Sequence, residues 1–359
     1  MAPVTAAELA SGIRDRRIQR VSPLTTPQSL ISRLPLEPAL AEVVVRGRAD
    51  TQAILQGADD RLLIVVGPCS VHDADAARDY ARRLSQKASE LSADLCIAMR
   101  VYFEKPRTTT GWKGLINDPH LDDSRDVDTG LRTARQLLLE VLALDLPVGC
   151  EFLDPVTPQY ISDAVAWGAI GARTTESQVH RQLGSGLSMP VGFENRTDGN
   201  VQVAVDAVRA AAGRHSFAGV DFSGTPAILH TSGNPDGHVI LRGGDGAPNH
   251  GPAGVAAALA RLKAAGLPER VVVDASHANS AKDHELQPAV AAEIGAQVAD
   301  GSDAIVGVML ESFLAAGRQD LGHPLTYGQS ITDACMDWDT TVDVLDGLAA
   351  AARARRTLA

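Results

Sequence analysis

The feature that most constrains the fold of this 359-residue chain is a regular alternation of short apolar runs with longer helical segments. The apolar runs are LLIVVGPCS, CIAMRVYF, VGCEFLD, AIGARTT, PVGFEN, HVILRGG, RVVVDASH and AIVGVMLES. Most are separated by Ala- and Leu-rich stretches with helical periodicity, such as ADAARDYARRLSQKASEL. Continuous apolar strands that alternate with helices are typical of a parallel sheet covered on both faces. Eight such units predict an α/β fold, a closed (β/α)8 (TIM) barrel.

An open, doubly wound sheet is the competing architecture, and it would normally place one glycine-rich phosphate loop at a switch point. Here polar residues instead appear after every run: Cys69, Arg100, Glu151, Arg173, Glu194, Arg242, His277 and Glu311. In a barrel the eight strand ends converge on one rim, which is where barrel enzymes carry their chemistry. This even distribution favours the barrel.

Two additions to the barrel are predicted. Residues 1–58 mix charges with prolines and include a predicted helix from about Pro38 to Gln56, so we interpret them as an N-terminal extension. The catalytic barrel domain is then expected at residues 59–359. The stretch between PVGFEN and HVILRGG is longer than the other connections and contains FAGVDF and PAILHTSGN, which we interpret as an inserted β-hairpin.

Composition excludes several classes of function. Hydrophobic residues make up 45% and charged residues 21% of the chain, as in ordinary globular proteins. The net charge of -11 argues against nucleic acid as a partner, because phosphate backbones call for a basic face. Four cysteines are too few for a disulfide framework. No apolar run is long enough for a bilayer, and the N-terminus lacks an export signal, so we expect a cytoplasmic protein without membrane partners.

Four side chains that can bind metals lie on four separate motifs. They are Cys69 in GPCSVHD, His277 in DASHANS, Glu311 in GVMLES and Asp333 in SITDAC. Each alone could be a buried or hydrogen-bonded residue without a ligand. Together, a thiolate, an imidazole and two carboxylates form a set that a divalent cation such as zinc, manganese, iron or cobalt accepts. Since three of them follow apolar runs directly, the sequence favours a metal site.

A second group of candidates is cationic. The segment MRVYFEKPRTT carries Arg100, Lys105 and Arg107 within eight residues, and Arg173 and Arg242 follow two further strands. One arginine at a strand end could form an ordinary ion pair at the rim. Several converging guanidinium groups in an acidic protein instead indicate an anionic ligand, because their N–H donors match phosphate and carboxylate oxygens. The sequence therefore predicts a phosphorylated, and also carboxylated, small-molecule substrate beside the metal.

These motifs resemble those of the class I 3-deoxy-D-arabino-heptulosonate 7-phosphate (DAHP) synthases, in the subgroup found in enteric bacteria and yeast. The resemblance runs from roughly Asp59 to the helix after Trp338. It rests on GPCSVHD, MRVYFEKPRTTTGWKGLINDPH, GAIGARTTESQVHRQLGSGLSMPVGF, TSGN, ILRGG, SHANSAK, GVMLES and SITDAC. It implies a (β/α)8 barrel that condenses phosphoenolpyruvate with erythrose 4-phosphate, the first step of the shikimate pathway and of aromatic amino acid biosynthesis. A homo-oligomer, dimer or tetramer, is also implied.

The resemblance assigns roles residue by residue. The metal ligands fall on the same four residues reached from side-chain chemistry: Cys69, His277, Glu311 and Asp333. Phosphoenolpyruvate is expected on Arg100, Lys105, Arg173 and Arg242, and the sugar phosphate on Arg107 and Thr108. Lys105 is the candidate proton donor, and Asp274 and Glu151 are expected near the reacting atoms.

The sequence departs from the family inside the anion site. Glu194 stands after the fifth strand, where the family carries a lysine, and Asp245 replaces another lysine after ILRGG. A carboxylate beside a phosphate is unfavourable in a partly dehydrated pocket. Arg196, where the family usually has glycine, is the candidate that would restore the positive charge from a neighbouring position.

Several explanations remain open. Either the change is compensated and the ordinary reaction is kept, or the chain is a paralogue of specialised metabolism with a changed donor or acceptor. A non-catalytic barrel would be expected to lose metal ligands, and none is lost here. A related synthase that makes an eight-carbon sugar acid should lack the KPRT and SITDAC contexts. The ordinary DAHP synthase reaction is therefore the leading hypothesis.

Overall fold

The computed structural model describes residues 15–107, 109–322 and 324–358. Its strands are β1 (Leu62–Gly67), β2 (Leu95–Arg100), β3 (Val148–Glu151), β4 (Trp167–Ile170), β5 (Val191–Glu194), β6 (His215–Val220), β7 (Pro226–Thr231), β8 (Gly237–Leu241), β9 (Val271–Asp274) and β10 (Ile305–Glu311). Eight of them close into a parallel barrel in the order β1-β10-β9-β8-β5-β4-β3-β2, and β6 pairs with β7 in an antiparallel hairpin. The predicted barrel with an inserted hairpin is confirmed.

Helices alternate with the barrel strands. They are α1 (Pro27–Arg33), α2 (Pro38–Gln56), α3 (Ala74–Glu90), α4 (Val127–Leu142), α5 (Pro158–Ile161), α6 (Gln178–Gly186), α7 (Gln202–Ala212), α8 (Pro252–Ala264), α9 (Gln287–Ala299) and α10 (Trp338–Arg356). Aspartates fix the start of three helices, because Asp73, Asp126 and Asp337 accept hydrogen bonds from backbone N–H groups of the first turn. No helix in these described ranges has the length and apolar character that a membrane span requires.

Every residue of the barrel strands is buried except Gly237 at the start of β8, which is partly buried. Every residue of β1, β2 and β10 is buried, on the face toward the barrel interior as well as on the face toward the helices. This double burial explains why the apolar runs in the sequence are continuous instead of alternating. The hairpin strands, by contrast, alternate between exposed and partly buried residues, because one face of the hairpin meets solvent.

Helix α2 lies across the amino end of the barrel. A Cβ atom at Gly47 would stand 2.8 Å from the Pro147 Cβ and 3.0 Å from the Ala166 Cβ, at the starts of β3 and β4. Ile54 of α2 is buried together with interior residues such as Trp167. The helix predicted from about Pro38 to Gln56 is observed with these bounds. The division into domains at residue 58 stays a prediction.

The opposite, carboxyl rim gathers the polar residues of the barrel. Several are the last residue of their strand: Arg100, Glu151, Glu194, Asp274 and Glu311. Others follow within a few residues: Cys69 after β1, Arg173 after β4, Arg242 after β8 and His277 after β9. Because all parallel strands end on this side, residues far apart in sequence meet here.

A fully buried arginine connects the helices that precede and cover the barrel. Arg135 in α4 donates hydrogen bonds to the carbonyl oxygens of Leu34 and Tyr160, at 2.7 and 2.8 Å. Its guanidinium also binds both carboxylate oxygens of Asp163, at 2.7 and 2.9 Å. Such a bidentate pair holds its partners in one geometry.

We expect Arg135→Met to lower the free energy of unfolding by about 3 kcal/mol, because a carboxylate and two carbonyl groups lose their partner. Arg132→Met, an exposed neighbour on the same helix, should change it by no more than about 0.5 kcal/mol. Urea denaturation followed by circular dichroism measures both. Equal stability of the two variants would contradict the connecting role of Arg135.

A buried carboxyl group lies just beyond β2. Glu104 is 3% exposed, and its Oε2 accepts a hydrogen bond of 3.0 Å from the Thr157 hydroxyl. Burial, with the nearby charge of Asp154, raises the pKa of Glu104 to about 8. The folded state therefore binds a proton that the unfolded state, with a pKa of about 4.3, releases. Stability contributed by this proton falls as the pH rises from the unfolded to the folded pKa.

Glu104→Gln should consequently gain stability relative to the wild type between about pH 5 and about pH 8, since the amide does not ionise. The difference in melting temperature between variant and wild type, measured across this range, tests the expectation. The exposed Glu285→Gln serves as the control for the loss of a surface carboxylate. A flat profile for Glu104→Gln would show that Glu104 ionises normally.

Candidate active site

A cavity opens at the carboxyl rim and is lined mainly by charged side chains. The cationic ones are Arg100, Lys105, Arg107, Arg173, Arg242 and Lys282. The acidic ones are Glu151, Glu194 and Asp333, and His277 lies beside them. Six of the eight candidate residues predicted at strand ends thus line one cavity, and the other two, Cys69 and Glu311, contact its residues Lys105 and Arg100.

Three of the four predicted metal ligands form one cluster, and the fourth, His277, lies beside it in a second cluster with Glu194 and Asp274. Ligand atoms of Cys69, Glu311 and Asp333 all lie within 4.8 Å of one another. The Nε2 atom of His277 lies 3.6 Å from the Glu311 Oε1. A cation bound about 2.0–2.3 Å from each ligand needs ligand atoms at such separations. The donor set and its spacing therefore fit a divalent metal ion.

The histidine is oriented by its own strand. Asp274, the last residue of β9, accepts a hydrogen bond from the His277 Nδ1 at 2.5 Å and is itself held by the backbone N–H of Ser276 at 2.8 Å. In the neutral imidazole this contact leaves the Nε2 lone pair free for a metal. Burial opposes protonation of His277, but the charges of Asp274 and Glu311 outweigh it and raise the pKa of His277.

Burial and nearby charges also shift the pKa values of Cys69 and Asp333. Burial, followed by the charge of Glu311, raises the pKa of Cys69, so that a cation is needed to hold the thiolate. Burial would also raise the pKa of Asp333, but Lys105 and Lys282 outweigh it and lower the pKa to about 2. The Lys282 Nζ lies 3.2 Å from the Asp333 carboxylate.

Close backbone contact positions Cys69. A Cβ atom at Gly67 would lie 2.4 Å from the carbonyl oxygen of Arg100, so the end of β1 needs a glycine there. Beyond it, the carbonyl oxygen of Cys69 accepts hydrogen bonds from Arg100 and Lys105. The Lys105 Nζ also lies 3.0 Å from the Cys69 Sγ. The lysine therefore stands directly at the predicted metal set.

Two buried guanidinium groups keep unused hydrogen-bond donors. Arg100 binds the Glu311 Oε1 at 2.9 Å and stacks on the Tyr102 ring, with its Cζ 3.7 Å from the ring centroid. Among the described residues, neither the Nη1 of Arg100 nor the Nε of Arg242 has a hydrogen-bond partner. Buried donors without a protein partner are left to bind water or a ligand. Anionic oxygens suit these guanidinium groups best.

The remaining predicted anion ligands lie further out. Arg173 is exposed at the edge of the cavity, and Arg107 donates a hydrogen bond of 2.8 Å to the carbonyl oxygen of Trp112. Thr108, the other residue predicted for the sugar phosphate, lies outside the described residues. Glu151 is buried next to the cations, and burial raises the pKa of its carboxyl group against the opposing charge of Lys105.

The departures from the family differ in their position. Glu194 is buried inside the cavity, and its Oε2 accepts a hydrogen bond of 2.9 Å from the Ala172 N–H. Arg196 forms ion pairs with Glu176 at 3.0 Å and Asp198 at 2.8 Å and is not among the described residues that line this cavity. The structure does not bring Arg196 to Glu194 as a compensating cation. Asp245 lines a neighbouring cavity.

Sequence reasoning missed three residues of the site. Tyr102 forms the platform under Arg100, Lys282 binds Asp333, and the Ala172 N–H binds Glu194. Lys282 lies in the motif SHANSAK, so its charge and position could have suggested a role. A stacking ring and a backbone donor give no signal in the sequence.

Comparison with known proteins identifies the family of this chain. Residues 42–346 match the model of the DAHP synthetase I family. The chain is 54% identical to the phospho-2-dehydro-3-deoxyheptonate aldolase of Corynebacterium glutamicum, over 100% of both chains. It is 53% identical to the Phe-sensitive enzyme of this name from Escherichia coli, over 95% of this chain and 98% of the relative.

The fold agrees as well. A solved structure of the phospho-2-dehydro-3-deoxyheptonate aldolase from Francisella tularensis superposes with a TM-score of 0.93 at 50% identity, over 94% of this chain and 99% of the other. With a family model, near full-length relatives and a shared fold in agreement, the chain belongs to the DAHP synthetase I family.

Proposed function

We propose that this protein is a DAHP synthase, a transferase that condenses phosphoenolpyruvate with erythrose 4-phosphate and releases DAHP and inorganic phosphate. The observation that carries the proposal is the cluster of Cys69, Glu311 and Asp333, with the His277 Nε2 3.6 Å from Glu311, beside buried guanidinium groups with unused donors. The names of the relatives, at 54% and 53% identity, support the same reaction.

The ligand set of Cys69, His277, Glu311 and Asp333 would hold a divalent cation, with manganese, iron, cobalt and zinc all compatible with these donors. When bound, the cation supplies Lewis acidity for the aldehyde of the acceptor. Asp274 keeps the imidazole in the orientation that this requires.

The cationic side chains bind and align the two anions. Arg100, Lys105, Arg173 and Arg242 would hold the carboxylate and phosphate of phosphoenolpyruvate. Arg107, with Thr108, would take the phosphate of the sugar. Fixing two mutually repelling anions in contact converts a bimolecular encounter into a positioned reaction.

The chemistry then follows from charge. The enol carbon of phosphoenolpyruvate attacks the aldehyde carbon and forms the C–C bond. Lys105 donates a proton to the developing alkoxide, since its Nζ lies at the metal set, 3.0 Å from the Cys69 Sγ. Water then adds to the carbon that bears the phosphate, near Glu151, and one of its protons restores Lys105. The resulting hemiketal phosphate collapses by C–O cleavage to the ketone, and the hydroxyl proton leaves with the inorganic phosphate.

A second candidate function is a paralogue reaction with a changed donor or acceptor. The observation that favours it is the buried carboxylate of Glu194 within a cavity that otherwise suits anions. The intact metal-ligand set is compatible with both reactions.

Product identification separates the two candidates. The purified, metal-loaded protein is incubated with phosphoenolpyruvate and, in parallel, with a panel of phosphorylated and free aldehydes that includes erythrose 4-phosphate and arabinose 5-phosphate. We expect DAHP and inorganic phosphate as the products, identified by mass spectrometry. Turnover of another pair, with none of erythrose 4-phosphate, would establish the paralogue reaction.

Cys69→Ala should lose bound metal and activity together, because a ligand is removed. Metal affinity should fall by more than the roughly 10–100-fold that follows loss of a residue which only orients a ligand. Cobalt titration and turnover are measured side by side. Cys96→Ala, which removes a buried thiol of β2 outside the ligand set, is the control and should keep its metal. Full turnover of Cys69→Ala would refute the ligand assignment.

We further propose that the protein acts as a cytoplasmic homo-oligomer, a dimer or tetramer. The four cysteines are free, which suits a reducing compartment. Large exposed apolar side chains on the N-terminal segment and on the hairpin, such as Val21 and Ile228, favour a subunit interface. We expect light scattering after size exclusion to give a mass of at least two chains, and a monomer would contradict the proposal.

A further inference from the structure

The carboxylate of Glu194 already occupies an anion-binding position of the cavity. Its Oε2 accepts the 2.9 Å hydrogen bond from the Ala172 N–H, and it lies 3.8 Å from the Nε of Arg242. Both side chains are buried, with 7% and 6% of their surface exposed. A backbone N–H and a guanidinium group that converge on one point form the kind of site that binds phosphate or carboxylate.

The arginine is not satisfied by this contact. At 3.8 Å the pair is an ion pair without a hydrogen bond, and the Nε of Arg242 stays without a partner among the described residues. Arg173, at the edge of the same cavity, forms no hydrogen bond or ion pair in the described part of the chain. The subsite therefore retains the capacity to bind a ligand anion more closely than it binds Glu194.

A second carboxylate lies next to the subsite. A Cβ atom at Gly171 would stand 2.2 Å from the Glu151 Oε1 and 3.9 Å from the Glu194 Oε2, so the two acids flank this glycine. A ligand phosphate that entered beside an unmoved Glu194 would face two negative charges in a buried setting. The guanidinium of Arg196 is bound to Glu176 and Asp198 and does not offset them.

We infer that Glu194 is an internal competitor for the phosphate of the donor substrate and thereby sets the affinity and specificity of the donor site. A phosphate that binds Ala172 and Arg242 has to displace the Glu194 carboxylate from the same donors. The inference rests on the proposed function for the identity of the donor, and it deepens that function by naming the residue that controls donor binding.

Two variants of Glu194 separate the effect of its negative charge from the effect of its side chain occupying the anion-binding position. Glu194→Gln keeps the shape and an oxygen for the Ala172 N–H but removes the negative charge. Glu194→Ala frees both the N–H and the guanidinium. We expect the KM for phosphoenolpyruvate to fall by about tenfold or more in both variants, while the KM for erythrose 4-phosphate stays within about twofold. The surface variant Glu176→Gln is the matched control and should leave both values unchanged, since Glu176 is 54% exposed and lies outside the described lining of the cavity.

Inorganic phosphate provides a test that does not depend on turnover. Its dissociation constant, measured by calorimetry on the folded proteins, should be about tenfold lower in Glu194→Ala than in the wild type. Melting curves verify that each variant is folded, and either variant suffices for the comparison. If the wild type does not convert phosphoenolpyruvate, the proposed function fails, while the phosphate titration still decides the role of Glu194.

The outcomes are distinct. Tighter phosphate binding in either folded variant supports the inference. Phosphate affinities that agree within about twofold among the three proteins, weaker binding in the variants, or no phosphate binding to any of them would overturn it.

Discussion

The buried ion pair between Arg100 and Glu311 is the interaction on which the rest of the site depends. Arg100 ends β2 and Glu311 ends β10, and both strands are neighbours of β1 in the barrel. Their side chains are almost fully buried, so each charge needs the other to offset the cost of leaving water. The pair also joins the two halves of the site, because Glu311 lies in the predicted metal-ligand set and Arg100 lies in the anion cavity.

Much of the fold could be predicted because a closed parallel barrel requires a distinctive pattern of apolar runs in the sequence. Strands buried on both faces must be apolar throughout, and eight such runs between helices leave few architectures. The hairpin was recognisable as an extra pair of runs in a long connection. The place of α2 across the amino end was not predictable, since its contact through Gly47 with Pro147 and Ala166 joins residues that are distant in sequence.

The site was predictable to the extent that strand ends determine it. Residues at the carboxyl ends of parallel strands must meet, and the candidates Cys69, His277, Glu311 and Arg242 do so. The direction of a side chain in a loop, by contrast, is not determined by the position of a strand end. Arg196 was expected near the anion site, but its guanidinium forms ion pairs with Glu176 and Asp198 at the surface. The sequence pattern did not predict this orientation.

The position of α2 bears on how small molecules reach the cavity. With α2 packed across the amino end, the charged cavity opens to solvent at the carboxyl rim. The guanidinium groups of Arg100 and Arg242 lie buried behind this opening, whereas Arg173 is exposed at its edge. An anion that binds Arg100 and Arg242 would therefore lie deep in the cavity, with Arg173 able to contact it from the solvent side.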